Sequence, residues 1–348
     1  MDRKRIEEIL ARFKSKRIAV AGDFFLDRIF YINREWDEPS VETGLTAYQV
    51  ASRKLLPGAA GVVTNNLSAF GVEEIYSVAL TGEDGEGFDL ARSLRETGVK
   101  TDYMVSSGEV VTPTYTKTMF DYECGPEETH RIDIQNRKPT PKEVEKRLTS
   151  FFYELAEKTD AIICLEQLKN GKYGVFTEAV LSALSDIAKR KPELIILADS
   201  RYHILDFKHM VLKCNDIEAV RAAYPGEIVT DSSEIDDELL CRSMKKIAAC
   251  TDRHVFVSCG SRGIKVLESG AEAEIVTVPA YRVEGPIDIC GAGDAASCVI
   301  ACALGSGATP QEAALIGNLV ASITIQQLGV TGTASVPQIL ARYDEYSI

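Results

Sequence analysis

The sequence predicts an α/β protein in which a mostly parallel central sheet is covered by helices on both faces and carries a small additional β-sheet. Short β-branched runs alternate with amphipathic helical segments along most of the chain. Two stretches, about 28–56 and 110–136, interrupt that alternation with strand-favouring residues that lack helical spacing. No internal repeat or low-complexity linker divides the 348 residues. A single domain over 1–348 is therefore expected, with the two interrupting stretches inserted as strands of a lid.

Ile6, Ile9, Leu10 and Phe13 recur at helical spacing over 3–13, and the apolar run 18–21 then reads as a buried strand ending at Gly22. Pro57 and Gly58 open a helix to about 70, followed by a strand over 75–80 and a helix over 87–97. Residues 114–120, Thr-Tyr-Thr-Lys-Thr-Met-Phe, have strong strand propensity and are expected to pair with the first interrupting stretch. Beyond Pro141 the alternation resumes with a helix to 156, a strand over 161–165, a helix over 175–190 and strands over 194–198 and 210–213. Strands over 255–257 and 263–267 precede helices over 293–304 and 310–328. Parallel strands joined by crossover helices account for this order.

Composition narrows the function. With 45% hydrophobic residues core size is not limiting, and a formal net charge of −13 argues against nucleic acid and anionic membrane surfaces as partners. An acidic chain that handles anions must concentrate positive potential locally, at helix N-termini or at a few Arg and Lys side chains. No run approaches the roughly 20 apolar residues of a membrane span, and 1–5 are charged rather than leader-like. The nine cysteines are odd in number and lack a C-x-x-C pair, which suits reduced thiols and a cytoplasmic location. Cys298 and Cys302 lie one helical turn apart, but none of the four histidines is near them in sequence, so no metal site is expected there.

The most informative segment is Asp288-Ile289-Cys290-Gly291-Ala292-Gly293-Asp294, which opens an apolar helix. Glycines let backbone N–H groups approach a ligand closely, and a helix start adds partial positive charge, so a transferring phosphoryl group suits this place. Asp294 is positioned to accept the proton of an attacking hydroxyl. Taken alone it reads equally well as a helix cap.

Around this segment the chain resembles the ribokinase-like carbohydrate kinases of the PfkB family over nearly its whole length. The resemblance rests on six motifs in order: Gly22-Asp23-Phe24-Phe25-Leu26-Asp27; Pro57-Gly58-Ala59-Ala60-Gly61; the 81–87 segment Thr-Gly-Glu-Asp-Gly-Glu-Gly; Asn215-Asp216-Ile217-Glu218; Ser258-Cys259-Gly260-Ser261-Arg262-Gly263; and 288–294. It implies a ribokinase-like three-layer α/β/α core with a β lid. It further implies Asp294 as general base, with Gly291 and the amides of Ala292, Gly293 and Asp294 as the anion hole. ATP and Mg²⁺ are the implied cofactors. Asn215 and Glu218 match positions that organise Mg²⁺ through water, and Asp288 one that supports a monovalent cation, implying K⁺. Ser258, Gly260 and Gly263 match the nucleotide loop, and Asn318 a position beside adenine. Asp27, Gly58 and Glu166 match the substrate side, Asp27 as a carboxylate able to hold a vicinal diol. The pattern is nearest to heptose-phosphate kinases; relatives often pair lid strands between subunits, which implies a homodimer through residues near 28–56 and 110–136.

The substrate side departs from that pattern. Ala59 stands where the family has a second glycine, Val62 where it has a sugar-binding Asn, and Cys290 where Thr is common. An apolar side chain against a sugar hydroxyl leaves it unpaired, at about 1–3 kcal/mol. If the acceptor is a sugar phosphate, the resemblance implies that Arg201, at a position where heptose-phosphate kinases have a Lys, meets it, with Lys117 and Arg131 as further candidates. A nucleoside acceptor, or a nucleotide-binding regulatory role without turnover, are the alternatives. A nicotinamide-dependent Rossmann enzyme is disfavoured because the first strand is not followed by G-x-G-x-x-G.

Overall fold

The computed structural model describes residues 1–122, 125–270 and 274–346; 123 and 124, within the second expected strand stretch, lie outside it. α1 (Arg3–Ala11), with Ile6, Ile9 and Leu10 buried, leads into β1 (Arg17–Gly22). Only Asp23 separates β1 from β2 (Phe24–Ile32), which leaves the main sheet. β3 (Glu38–Pro39) and β4 (Thr46–Ala47) pair with each other, and β5 (Val50–Ala59) returns to α2 (Ala60–Phe70). β6 (Glu74–Gly82), α3 (Gly85–Glu96) and β7 (Lys100–Ser107) follow, then β8 (Thr114–Tyr122) and β9 (Gly125–Ile134).

The second half alternates more regularly. α4 (Lys142–Ala156), β10 (Ala161–Glu166), α5 (Glu178–Arg190), β11 (Ile195–Ser200) and β12 (Val211–Asn215) precede the helix pair α6 (Asp216–Ala223) and α7 (Asp237–Ala248). β13 (Val255–Ser258), β14 (Ile264–Leu267) and β15 (Ile275–Val278) then lead to α8 (Ala292–Gly305), α9 (Pro310–Thr324) and α10 (Val336–Tyr346).

Among the described residues, the main sheet runs β15-β14-β13-β12-β11-β10-β1-β6-β7, parallel from β7 to β13 and antiparallel at the β14–β15 edge. Strand periodicity splits its side chains between two cores. Ile18 and Val20 of β1 join Val63, Val299 and Leu319 on one face, while Ala19 and Ala21 join Leu148, Leu184 and Met244 on the other. This is a three-layer α/β/α arrangement. The small sheet, β5-β2-β8-β9, stands apart and draws its strands from both interrupting stretches.

The chain order reverses at β1, whose neighbours are β6 and β10. A crevice forms outside the carboxyl ends of parallel strands at such a switch point. Here it is bounded by the ends of β1, β10, β11, β12 and β13.

Several elements differ from expectation. Pro57 and Gly58 belong to β5, paired with Leu26 and Phe25, and the helix starts only at Ala60. β7 and β15 fall on mixed polar sequence at or near sheet edges, where periodicity is weak. α6, α7 and α10 are additions. α7 was legible in principle, since Leu240, Met244 and Ile247 stand at helical spacing after an Asp236 cap.

The turn between β5 and α2 is strained. Ala59 has φ 50° and ψ −113°, a conformation that a β-carbon disfavours. Ala59→Gly should raise stability by about 1 kcal/mol, the net of relieved strain and a more flexible unfolded chain. Chemical denaturation checks this, and a less stable variant would show that the turn tolerates alanine without strain.

Candidate active site

The Gly291 to Asp294 turn lies at the crevice. Gly291 has φ 76° and precedes α8; a β-carbon there would press within 3.3 Å of Val62 and Thr331. The N–H of Ala292 is held by the carbonyl of Ile289 at 3.2 Å, and Ala295 N–H returns to Gly291 O. Of the three amides expected to form an anion hole, those of Gly293 and Asp294 therefore remain without an intrahelical acceptor. Asp288 supports the turn from below. Its carboxylate oxygens accept N–H bonds from Cys290 and Gly329, both at 3.0 Å, and its own N–H donates to Ile325 O.

Two cavities meet at this turn, and Gly291, Asp294, Arg201 and Gln167 line both. The smaller, about 180 Å³, is walled by Asp199, Lys213, Asn215, Glu218 and Ser258 at the ends of β11, β12 and β13. The larger, about 250 Å³, is walled by Phe25, Asp27, Ala59, Val62, Tyr115, Lys117 and Arg131, most of them from the small sheet. Asp27 sits over Gly58, where a β-carbon would come within 2.3 Å of its carboxylate. Burial raises the proton affinity of Asp27, and Lys117 and Arg131 oppose that rise. Lys117 and Arg131 are directly paired across β8 and β9.

Charge in the smaller cavity is crowded. Burial pushes the Asp294 carboxyl from 3.8 up to about 7; the Asp199 and Glu218 charges add to this, and Lys213 and Arg201 act against it. Glu218 is likewise raised, first by burial and then by Asp199. Lys213 is buried, yet its ammonium donates to Asp199 Oδ2 at 2.9 Å and to the carbonyl of Gly293 at 3.1 Å. Ser297 Oγ lies 2.6 Å from the same Asp199 oxygen. Burial opposes the Lys213 charge, but Asp199, Glu218 and Asp294 together hold its proton more tightly than usual.

Asn215 and Glu218 form a reciprocal capping box at the start of α6: Glu218 N–H donates to Asn215 Oδ1 and Asn215 N–H to Glu218 Oε2, each at 2.8 Å. Each keeps one further polar atom, Asn215 Nδ2 and Glu218 Oε1, and both residues line the cavity. Ser258 lines it too.

Other expected residues are placed differently. The Glu166 carboxylate is turned to Ser200 Oγ at 2.5 Å and His203 Nδ1 at 3.0 Å, and it forms the wall between the smaller cavity and a larger one of about 610 Å³ beside α5. Asn318 is buried, and its amide donates to the carbonyls of Val278 and Pro279, which occupies the group expected beside adenine. Gly263 is required by packing, since a β-carbon would lie 2.1 Å from Val278 O; Gly260, with φ 55°, shapes the same short turn. Neither glycine lines the two cavities. Lys213, Asp199 and Gln167 were not singled out in the sequence. Lys213 and Asp199 are 14 residues apart and Lys213 is 80 from Gly293, so no local motif marks them.

Solved structures share this architecture. The chain aligns with the ribokinase of Giardia lamblia at a TM-score of 0.69 and 15% identity, covering 95% of this chain and 99% of that one. Phosphofructokinase-2 of Escherichia coli, in complex with fructose-6-phosphate, gives 0.67 and 16% over 96% and 100%. Arabidopsis thaliana ribokinase, complexed with ribose and ATP, gives 0.66 and 16% over 94% and 98%. The fold is ribokinase-like. The profile described as pfkB family carbohydrate kinase matches residues 31–337, and the chain belongs to that family, whose members are phosphotransferases acting on a sugar hydroxyl. Among curated relatives, the bifunctional protein HldE of Trichlorobacter lovleyi is 26% identical over 357 residues, 98% of this chain and 65% of that protein. That of Pelobacter propionicus is 27% identical over 349 residues, 98% and 66%. The chain thus spans about 65% of the length of the curated relatives it matches.

The raised proton affinity of Asp294 has a consequence for stability. A carboxyl that titrates near 4 when unfolded and near 7 when folded contributes stability at low pH that is lost as pH rises through 7. Asp294→Asn should therefore stabilise the free protein, and the gain should grow between pH 5 and pH 8. Thermal melts at both values test this; an equal gain at each would mean that Asp294 titrates normally.

Proposed function

We propose that the protein transfers the γ-phosphoryl group of ATP to a hydroxyl of a sugar or sugar phosphate, with Asp294 as general base and the 291–294 turn as anion hole. The observation that carries this is the place of Asp294, at the start of α8 where the two cavities meet. ATP phosphates in the smaller cavity and an acceptor in the larger would bring the γ-phosphate and a hydroxyl together at its carboxylate. The hydroxyl proton passes to Asp294 as the oxygen attacks in line, and the Gly293 and Asp294 amides offset the charge of the migrating group. ATP as donor is supported by the ribokinase relatives solved with ATP or ADP.

Mg²⁺ fits as an ion held chiefly by nucleotide phosphates and water. Among the described residues no cluster of three or more acidic, His or Cys side chains is available to cage a metal, and Glu218 keeps one carboxylate oxygen beyond its capping bond. When bound, the ion neutralises charge on the phosphates. We propose Asp288, whose carboxylate oxygens already brace the turn, as the residue that supports K⁺ beside it.

A phosphorylated acceptor is favoured by the larger cavity. Like charges placed directly opposite in a sheet repel, and Lys117 faces Arg131 in this way, although Glu128 and Asp133 partly compensate them. The side chain of Arg201 has no ion-pair or hydrogen-bond partner among the described residues. Three cations around one small cavity suit an anionic group on the acceptor.

A coupled ADP-release screen over sugars, sugar phosphates and nucleosides tests the activity. Turnover should appear with a phosphorylated sugar and fall about 10²–10⁴-fold in Asp294→Ala. ATP binding without turnover on any acceptor would favour the regulatory alternative. Arg201→Ala should raise KM for the phosphorylated acceptor far more than for its unphosphorylated analogue, and equal effects would remove Arg201 from acceptor recognition.

We further propose that the small sheet closes over the acceptor as a lid and pairs two subunits. Its outer connection exposes Val41 and Leu45 at 99% and 71%. Sedimentation should give a dimer, and a monodisperse monomer would argue against the pairing.

A further inference from the structure

We propose that Lys213 is a positioning residue of the phosphoryl-transfer turn, its ammonium fixing the first turn of α8 against the carboxyl ends of β11 and β12. The inference rests on the reading that this turn receives the migrating group, and it assigns a role to a side chain outside the motifs that point to that reading.

The geometry is specific. Lys213 projects from β12 into the smaller cavity, and its Nζ is shared between the Asp199 carboxylate at 2.9 Å and the Gly293 carbonyl at 3.1 Å. A lysine has three donors, so two fix its place and one is left toward the cavity. The Gly293 carbonyl belongs to the peptide that supplies the N–H of Asp294. Because that peptide is planar, holding its oxygen fixes the direction of the N–H at its other end. Ser297, one turn further along α8, reaches the same Asp199 oxygen at 2.6 Å, so Asp199 is braced from the helix as well as from the strand.

A lysine ammonium with its side chain 4% exposed is an expensive way to brace a helix, because removal from water disfavours the charge. A hydrophobic contact would hold α8 to the sheet without that penalty. What the ammonium supplies in addition is a positive charge inside a cavity that also holds Asp199, Glu218 and Asp294. It acts directly against the rise in Asp294 proton affinity. Together with Ser297 Oγ, which donates to the same Gly293 carbonyl at 3.0 Å, Lys213 orients the amide, and it alone adds a compensating charge there.

Isothermal titration with two probes tests the role without an identified acceptor: Mg-ADP alone, and Mg-ADP with aluminium fluoride as a planar mimic of the transferring group. In Lys213→Gln, affinity for the fluoride complex should fall at least about tenfold more than affinity for Mg-ADP. Loss of both in equal measure would mean a general structural role, and loss of neither would mean no role; either result overturns the proposal. Because Lys213→Gln leaves Asp199 buried without its cation, the paired variant Asp199→Asn/Lys213→Gln is measured beside it. It should recover thermal stability but not affinity for the fluoride complex, whereas full recovery of affinity would show that packing suffices and the charge is dispensable. If the wild-type protein does not distinguish the two probes, the assignment of the turn fails first and the role of Lys213 with it.

Discussion

Three carboxylates, from Asp199, Glu218 and Asp294, share one small space above the ends of β11 and β12, and the structure there depends on how that negative charge is compensated. The compensation is local. The chain as a whole carries a net charge of −13, so no general positive field is available. Lys213, Arg201 and the start of α8 provide it instead. Breaking such a buried pair by removing one partner is far more damaging than the pair itself is stabilising. Its contribution is therefore better sought in geometry than in stability. The same scarcity of positive charge is what makes an unpaired Arg201, lining both cavities, informative about ligands.

The second constraint is the short link between the two sheets. Asp23 is the only residue between β1 and β2, and its buried carboxylate accepts N–H bonds from Gln167 and Leu168 at 2.7 and 3.0 Å. Burial still pushes its proton affinity up to about 7, against those two bonds. This ties the root of the small sheet to the loop after β10. Gln167, on that loop, lines both cavities. Asp27 follows four residues after Asp23 on β2 and reaches the larger cavity over Gly58. The walls of the two cavities are thus joined at Asp23.

Most of this arrangement was legible where chemistry is local. The glycine pattern at 291–294 announces a close backbone approach, while the Asn215-x-x-Glu218 spacing, matched to a Mg²⁺-organising pattern, turns out to form a capping box. Both are made by residues within four positions of each other. The two interrupting stretches were legible as strands because threonine, tyrosine and phenylalanine favour a pleated surface. What sequence could not supply is contact across the fold. Lys213 looks like an ordinary lysine within an apolar strand until Asp199 and Gly293 are brought to it. Asn318 carries the opposite lesson, since a residue in a suggestive position has its amide committed to the carbonyls of Val278 and Pro279.

The departures at Ala59 and Val62 can now be given a physical meaning. Val62 is 3% exposed and lies close beneath Gly291, so it supports the turn as much as it borders the larger cavity. An asparagine in its place would offer the acceptor a donor and an acceptor; valine offers neither, and a hydroxyl on that side would go unpaired. Phe25 and Ala59 extend the same apolar wall. Polar groups in this cavity come from Asp27, Tyr115, Gln167, Thr331 and Asp294 and from the cations Lys117, Arg131 and Arg201. If the acceptor binds in this cavity, as proposed, selection shifts from reading the number and stereochemistry of hydroxyl groups toward reading charge. In the proposed mechanism a hydroxyl-binding loop can weaken in this way without weakening catalysis, because the proposed base Asp294 and the amides of Gly293 and Asp294 belong to α8.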